Sequence, residues 1–330
     1  MKTNNGLVSI IIPTFKRADY IDRAILSVMN QSYSNWELII VDDNNENTLE
    51  RFEMENKMLK YVNNQKIKYI KHEKNKNGAA ARNTGILNSN GDYITFLDDD
   101  DFYLKDRLKI IVDFLSKNKE YDGVYTSGCV LYKDFFYAKL SGNLQKEILS
   151  LKPIIRTGSN MFFRRKVFDE VGLFDETFTR HQDLEILVRF FRKFKICAID
   201  KVLVVKDDSI ERINWPNAIK TLEVREKFID NFKEDINKCC NKNKILFDNY
   251  LDLYCKVCIS KNNNKNVLCE VKNNILKYGN LSFKIKIKMI IYKYFKFLIN
   301  LKNWFKYKIL YFRIKSAKTG TLKEIKDCLK

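Results

Sequence analysis

The stretch Gly91-Asp92-Tyr93-Ile94-Thr95-Phe96-Leu97-Asp98-Asp99-Asp100-Asp101 decides the fold. A short aromatic and β-branched run that stops on four carboxylates reads as a buried strand delivering acid groups to the edge of a sheet. The same grammar recurs upstream. Val8-Ser9-Ile10-Ile11-Ile12 ends at Pro13 and precedes a helical stretch over 17–30, spaced by Ile21, Ile25 and Val28. Strand 37–41 precedes a helical 47–62, strand 66–70 a helical 79–88, and strand 93–97 a helical 105–117. Four strand-then-helix units predict an α/β fold built on a doubly wound, mostly parallel sheet.

Ligands of such sheets bind beyond the carboxyl ends of the strands. The residues expected there are Pro13, Thr14 and Phe15, then Asp42 and Asp43, then Asp98 to Asp101. Asp98 and Asp100, two apart at a strand end, are expected to project to one side while Asp99 points away. Two such carboxylates repel unless a cation lies between them, and oxygen-only ligands suit Mg²⁺ or Mn²⁺. An isolated Asp-rich turn would be a solvated acidic turn; its place at the fourth strand end favours the metal. Beyond Asp122 the pattern predicts strands at 122–132, 154–163 and 196–205 and a helix over 182–194. From about 211 the chain is helical and rich in Lys and Asn, so the expected organisation is a catalytic body over 1–210 and a C-terminal helical extension over 211–330.

Composition narrows the classes. With 45% hydrophobic and 13% aromatic residues in 330, the chain can bury a sizeable core, which excludes a disordered protein. Only 3 Pro and 11 Gly exclude collagen-like and Pro-rich classes. The net charge is +19, and residues 281–330 hold 13 Lys and Arg313 against Glu324 and Asp327, a net +12 in one terminal segment. A nucleic-acid binder would spread that charge over a body face, so a local anionic surface is expected instead. The start lacks the apolar core of a secretory signal, and no run of about eighteen apolar residues suggests a spanning helix. A cytoplasmic protein with reduced thiols is expected.

The ordered motifs resemble the family 2 inverting glycosyltransferases, which have the GT-A fold. Ser9-Ile10-Ile11-Ile12-Pro13-Thr14-Phe15-Lys16-Arg17 is similar to that family's opening strand and turn, with Lys16 where Asn is usual. The run from Gln31 to Asp43 resembles its second strand, although Asn44 and Asn45 replace the commoner Gly-Ser. Asn77-Gly78-Ala79-Ala80-Ala81-Arg82-Asn83 and the run from Gly91 to Asp101 resemble the segment leading to the DxD motif. Gly158-Ser159-Asn160-Met161, Gly172 to Glu176 and His181-Gln182-Asp183-Leu184-Glu185 resemble the acceptor-side blocks. The resemblance covers about 8–205 and implies a nucleotide-binding half over 1–101 and an acceptor half over 102–210.

The resemblance also implies a nucleotide-sugar donor, a UDP-sugar, and a role for each matching position. Asp43 would accept from the uracil ring, with Pro13, Thr14 and Phe15 lining the base pocket. Arg82 would hold the nucleotide, Asp98 would contact the ribose beside Asp99, and Asp100 would bind the divalent cation bridging the diphosphate. Asp183 would be the catalytic base. A cation stabilises charge building on the leaving diphosphate, and one positioned carboxylate can take the proton of the attacking hydroxyl. At the start of a helix anchored by Leu184, Leu187, Val188 and Phe191, the helix dipole would keep Asp183 ionised. Taken alone, Asp183 would read as an N-cap; the preceding blocks favour catalysis.

His72 and His181 are the only histidines, too few for His-based nucleophilic or zinc chemistry. Cys255 and Cys258, with Cys239, Cys240 and Cys269 nearby, have spacing that imitates a zinc site, but Phe247, Tyr250, Leu251, Tyr254 and Val257 place them on an amphipathic helix where buried cysteines are ordinary. In the tail, Ile287, Ile291, Tyr294, Leu298, Leu301 and Phe305 trace one helical face, flanked by Trp304 and by lysines at 286, 293, 296, 302 and 306. That face suits either an anchor on an anionic membrane surface or packing on the body. The expected acceptor is a saccharide or lipid-linked saccharide precursor of a cell-surface glycan, such as a capsule or O-antigen. The motifs contain no Gln-x-x-Arg-Trp signature of processive synthases. A nucleotidyltransferase would show a Gly-rich, Arg-containing loop after the first strand, and a nucleic-acid binder rests on the tail alone.

Overall fold

The computed structural model describes residues 6–208, 217–259, 264–294, 296–317 and 319–329. They form two compact units: Met1–Leu144 with Ile155–Ile210 and Leu310–Lys330, and Gln145–Ile154 with Glu211–Ile309.

In the first unit, β1 (Val8–Thr14), β2 (Trp36–Asp42), β3 (Ile67–Lys71) and β4 (Tyr93–Phe96) alternate with α1 (Ala18–Met29), α2 (Leu49–Met58) and α3 (Gly78–Leu87). Short β5 (Phe102–Tyr103), α4 (Arg107–Lys117), β6 (Gly123–Val130) and β7 (Asp134–Phe136) follow. In chain order α5 (Gln145–Leu149) belongs to the second unit; β8 (Phe162–Arg164), α6 (Lys166–Val171), α7 (Gln182–Phe190) and β9 (Ile196–Lys206) return to the first. The strands make one mixed sheet in the order β3-β2-β1-β4-β8-β6-β9-β5, with β7 beside β6. The β3-β2-β1-β4 half is parallel throughout, β8 runs antiparallel between β4 and β6, and β6 pairs parallel with β9.

The apolar strand runs are explained by burial on both faces. Ile10 and Ile12 join a core with Ile21, Ile25 and Val28 of α1 and Leu108 and Ile111 of α4. Ile11 faces the opposite layer, where α3 lies so close that a Cβ on Gly85 would fall 2.3 Å from Ile11 Cγ2. A glycine there lets α3 approach β1 more closely than any side chain would allow.

One expected strand is shorter than its sequence suggests. Within 154–163 only Phe162 onward is strand, preceded by a 3₁₀ turn over Gly158–Asn160. Polar side chains replace the ladder: Asn160 Oδ1 accepts from the Thr126 N–H at 3.0 Å while its Nδ2 donates to Thr126 O at 2.7 Å. The wholly buried Arg107 braces this turn, donating to Thr126 Oγ1 at 2.9 Å and Ser159 O at 3.2 Å.

The second unit holds α5, α8 (Ala218–Asn231), α9 (Lys233–Lys238), α10 (Lys242–Ile259), α11 (Lys265–Tyr278), α12 (Phe283–Tyr294) and the first part of α13 (Lys296–Ser316). Its core joins Leu222, Tyr250, Tyr254, Val257, Val271, Ile275 and Met289. Cys258 lies in that core and Cys255 is buried, its thiol pushed up to about 11 by burial, which keeps it protonated and apolar. Both cysteines therefore serve as packing groups.

The boundary differs from the one expected at 210. The end of α13 and α14 (Gly320–Asp327) belong to the first unit, where Leu310, Ile314 and Ile325 pack with Phe102, Leu104, Cys129, Leu131 and Val205. The Lys105 N–H donates to Glu324 Oε1 at 2.6 Å. In α12 the packed face is Ile285, Met289 and Tyr292, whereas Ile287 of the expected stripe is exposed. The side chains of Tyr294, Leu298, Leu301 and Phe305 lie outside the described residues. Among the described residues no helix is long and apolar enough to cross a membrane.

Candidate active site

Four segments converge at the carboxyl edge of the parallel strands. The first follows β1. Thr14 is buried and donates from Oγ1 to Asp99 Oδ2 at 2.8 Å. The backbone then turns through Lys16 at φ 60°, a left-handed conformation that costs a lysine more than the asparagine of the related motif. The Lys16 N–H donates to Asn44 Oδ1 at 2.9 Å.

The second segment follows β2. Asp43 is almost fully buried, and its carboxylate accepts from His72 Nδ1 at 2.7 Å, Asn75 Nδ2 at 2.7 Å, the Lys76 N–H at 2.8 Å and the Asn77 N–H at 2.9 Å. Four donors fill the four lone-pair positions of a carboxylate. Asp43 thus shapes the 72–77 loop, and a nucleobase could bond to it only by displacing one of these donors. Arg51 fastens the same edge, donating to His72 O at 2.6 Å and to Asn44 O, beside the Asp42 carboxylate.

The third segment is the acid run. β4 ends at Phe96, so Asp98 to Asp101 form a turn closed by the Asp101 N–H donating to Asp98 O at 3.0 Å. The turn, rather than strand alternation, sends Asp99 toward Thr14 and Arg17. Asp98, Asp100 and Asp101 each present an oxygen within 4.8 Å of the others. Asp101 completes this trio, held by Thr157 Oγ1 at 2.9 Å, Ser159 Oγ at 2.5 Å and the Asp207 N–H at 3.0 Å. Burial raises the proton affinity of Asp99, Asp100 and Asp101, with their mutual repulsion adding to it; Asp99 is pushed up to about 7. Arg17 opposes this by pairing with Asp99 and Asp100, and Arg23 donates to Asp100 O at 2.6 Å and Asp207 Oδ2 at 2.8 Å.

The chemistry of the trio fits a divalent cation. Three hard oxygen donors converge in a partly buried site where their like charges are unfavourable without a cation. Among the described residues it is the one His/Cys/Asp/Glu group with such geometry, and the cysteines form none.

The fourth segment carries Asp183. Arg82 of α3 donates from Nη2 to Asp98 Oδ1 at 2.7 Å and from Nη1 to Gln182 Oε1 at 3.0 Å, tying the acid turn to the start of α7. Asp183 follows Gln182 in the first turn, anchored by buried Ile186, Leu187 and Val188. Burial raises its carboxyl above the usual aspartate range, and Asp98 adds to the rise while Arg82 opposes it. Helix-dipole stabilisation therefore does not dominate; the carboxyl gains proton affinity because it has lost water.

A family model described as "Glycosyl transferase family 2" matches residues 9–172, the span that holds all of this edge except α7 and the end of β9. The chain belongs to glycosyl transferase family 2. It is 32% identical over 197 residues to the putative colanic acid biosynthesis glycosyl transferase WcaA of Escherichia coli K12, covering 56% of this chain and 66% of WcaA. A 112-residue segment is 37% identical to the Escherichia coli UDP-Glc:alpha-D-GlcNAc-diphosphoundecaprenol beta-1,3-glucosyltransferase WfgD, covering 34% of this chain and 42% of WfgD. The match spans only 33% of the length of similar glycosyltransferases from Rickettsia conorii and Rickettsia felis. In fold the chain is similar to S. aureus TarS 1-349 in complex with UDP-GlcNAc, with a TM-score of 0.59 at 15% identity over 82% of this chain and 88% of that one. That likeness concerns the GT-A fold alone.

Within this family 2 site, Thr14, Asp98, Asp99, Asp100 and Arg82 meet in one hydrogen-bonded group, and Asp183 stands beside it. Pro13 and Phe15 flank Thr14 without a polar role. Arg17, Asp101 and Ser159 stand within blocks that carry the resemblance, although the sequence reading assigned none of them a pairing or metal role; Arg23, Thr157 and Asp207, which also hold the acid turn, carry no local signal.

Proposed function

We propose that this chain transfers a single sugar from a UDP-sugar to a hydroxyl of a cell-surface glycan precursor, with inversion and with the help of Mn²⁺ or Mg²⁺. The observation that carries the reading is the Arg82 bridge, which places the Asp98–Asp100–Asp101 trio and the Asp183 helix on one edge. Asp98, Asp100 and Asp101 would hold the cation, which when bound supplies Lewis-acid stabilisation of the leaving diphosphate. Thr14 and Phe15 would line the base pocket, with Asp43 holding its 72–77 wall, and Asp98 and Arg82 would orient the nucleotide. Asp183 takes the proton of the attacking hydroxyl, and its raised proton affinity suits that task better than an ordinary aspartate would. One base and in-line attack give inversion. The names of WcaA and WfgD support a capsule-like or lipid-linked acceptor.

The protein would work in the cytoplasm at the inner face of the membrane. In α12, Phe283, Ile287 and Ile290 are exposed among the exposed Lys284, Lys286 and Lys288, a composition suited to anionic lipid. The test is release of UDP from UDP-sugars with an undecaprenyl-linked saccharide acceptor, with Mn²⁺ and with a chelator. Metal-dependent transfer with a β-configured product from an α-linked donor supports the reading; retention of configuration, or turnover unaffected by chelation, refutes its mechanism.

A further inference from the structure

We propose that Arg17 is a built-in counter-cation of the acid turn, which competes with the divalent cation for Asp100. The inference rests on the metal reading above and goes beyond it by assigning a residue that sets metal affinity. Asp98 to Asp101 place four carboxylates in one turn, three of them raised in proton affinity by burial and mutual repulsion. Their partners are unequal. Asp98 has Arg82, while Asp101 is satisfied by Thr157, Ser159 and the Asp207 N–H, all neutral donors. Asp100 is the trio member whose carboxylate is engaged by Arg17, and the same Nη1 lies 3.3 Å from Asp99 Oδ1.

A guanidinium in contact with Asp100 neutralises the charge that would attract a divalent cation and repels that cation, so binding of either disfavours the other. Arg17 stands just ahead of α1 and keeps 18% of its side chain exposed, so it can leave without disturbing the apolar core. Nearby Arg23 donates from Nη2 to the Asp100 carbonyl and to Asp207 rather than to the Asp100 carboxylate. The consequence is a competition. Arg17 keeps the turn intact when metal is scarce, and metal must bind against its charge.

Isothermal titration of the full-length protein with MnCl₂, in the wild type, Arg17→Gln and Arg17→Lys, tests this. Removing a competing charge at contact distance should tighten Mn²⁺ binding on the order of tenfold in Arg17→Gln. Arg17→Lys should fall between, because an ammonium keeps the charge but loses the fork that spans Asp99 and Asp100. Thermal melts should show Arg17→Gln less stable than wild type without Mn²⁺ and regaining that loss when Mn²⁺ is added. A residue that merely braced the turn would weaken Mn²⁺ binding when removed. Equal or weaker affinity in Arg17→Gln overturns the proposal, and if that variant does not fold, equal or weaker affinity in Arg17→Lys does so. Failure of all three proteins, wild type included, to bind Mn²⁺ overturns the metal reading and this inference with it.

Discussion

Arg82 Nη2 donates to Asp98 Oδ1 at 2.7 Å across a sixteen-residue separation, and the other arm of the same guanidinium reaches Gln182 at 3.0 Å. A single planar fork therefore sets the distance between the acid turn and the helix that presents Asp183. Arg82→Lys should break this geometry, because an ammonium cannot hold two acceptors in fixed directions. The expected outcome is a loss of donor affinity on the order of tenfold with a near-native melting temperature. Titration with UDP and Mn²⁺ beside a thermal melt measures both.

Gly78→Ala offers a subtler perturbation. A Cβ at Gly78 would lie 3.1 Å from Arg82 Nη1 and 3.2 Å from Gln182 Oε1, both ends of flexible side chains that can shift. The backbone gains about 0.5–1 kcal/mol from the Gly→Ala change in a helix. We expect stability unchanged or higher together with a raised KM for donor. A fall in melting temperature would show that the close contact disturbs more than the bridge.

Asp183→Asn should remove transfer while keeping donor affinity, since the amide preserves shape but cannot take a proton. Wild-type kcat/KM should fall as pH falls through the Asp183 pKa, which burial sets above that of an ordinary aspartate. The sign for stability is the reverse. A carboxyl with a raised folded-state pKa contributes stability while protonated and loses it as pH rises from about 4 through that pKa. The melting temperature of Asp183→Asn should therefore improve relative to wild type as pH rises over that window. A pH series of melts and initial rates reads both signs.

The C-terminus should prove part of the catalytic unit. Ile314 and Ile325 are 2% and 0% exposed, and each change to Ala should cost about 2–5 kcal/mol. Deleting residues from 310 onward uncovers Phe102, Leu104, Leu131 and Val205, so that truncation should aggregate. Of the two readings that the sequence leaves open for the basic segment, packing on the body is the one that holds for Leu310, Ile314 and Ile325. Denaturant unfolding of the point variants and size-exclusion of the truncation provide the check.

The sequence by itself determined the alternating strand-helix order of the first 117 residues, because strands buried on both faces must be apolar throughout while their covering helices show a 3.6-residue period. It also determined which acids stand at the sheet edge, because Asp98 to Asp101 directly follow a strand whose register is set by that apolar run. Only the tertiary structure decided the partners of those acids. Arg17 and Asp99 are 82 residues apart, Thr157 and Asp101 are 56, and Asp207 and Asp101 are 106. Nothing local in an Arg or a Thr states which distant carboxylate it will meet. The same holds for the tail. The stripe read in the sequence runs from Ile287 to Phe305 and leaves its cover open; Leu310, Ile314 and Ile325, beyond it, are buried against residues of β5, β6 and β9, strands more than a hundred residues earlier in the chain. Hydrophobic burial depends on area and carries no direction, so a helical stripe states that it needs a cover and leaves the choice of cover to the packed whole.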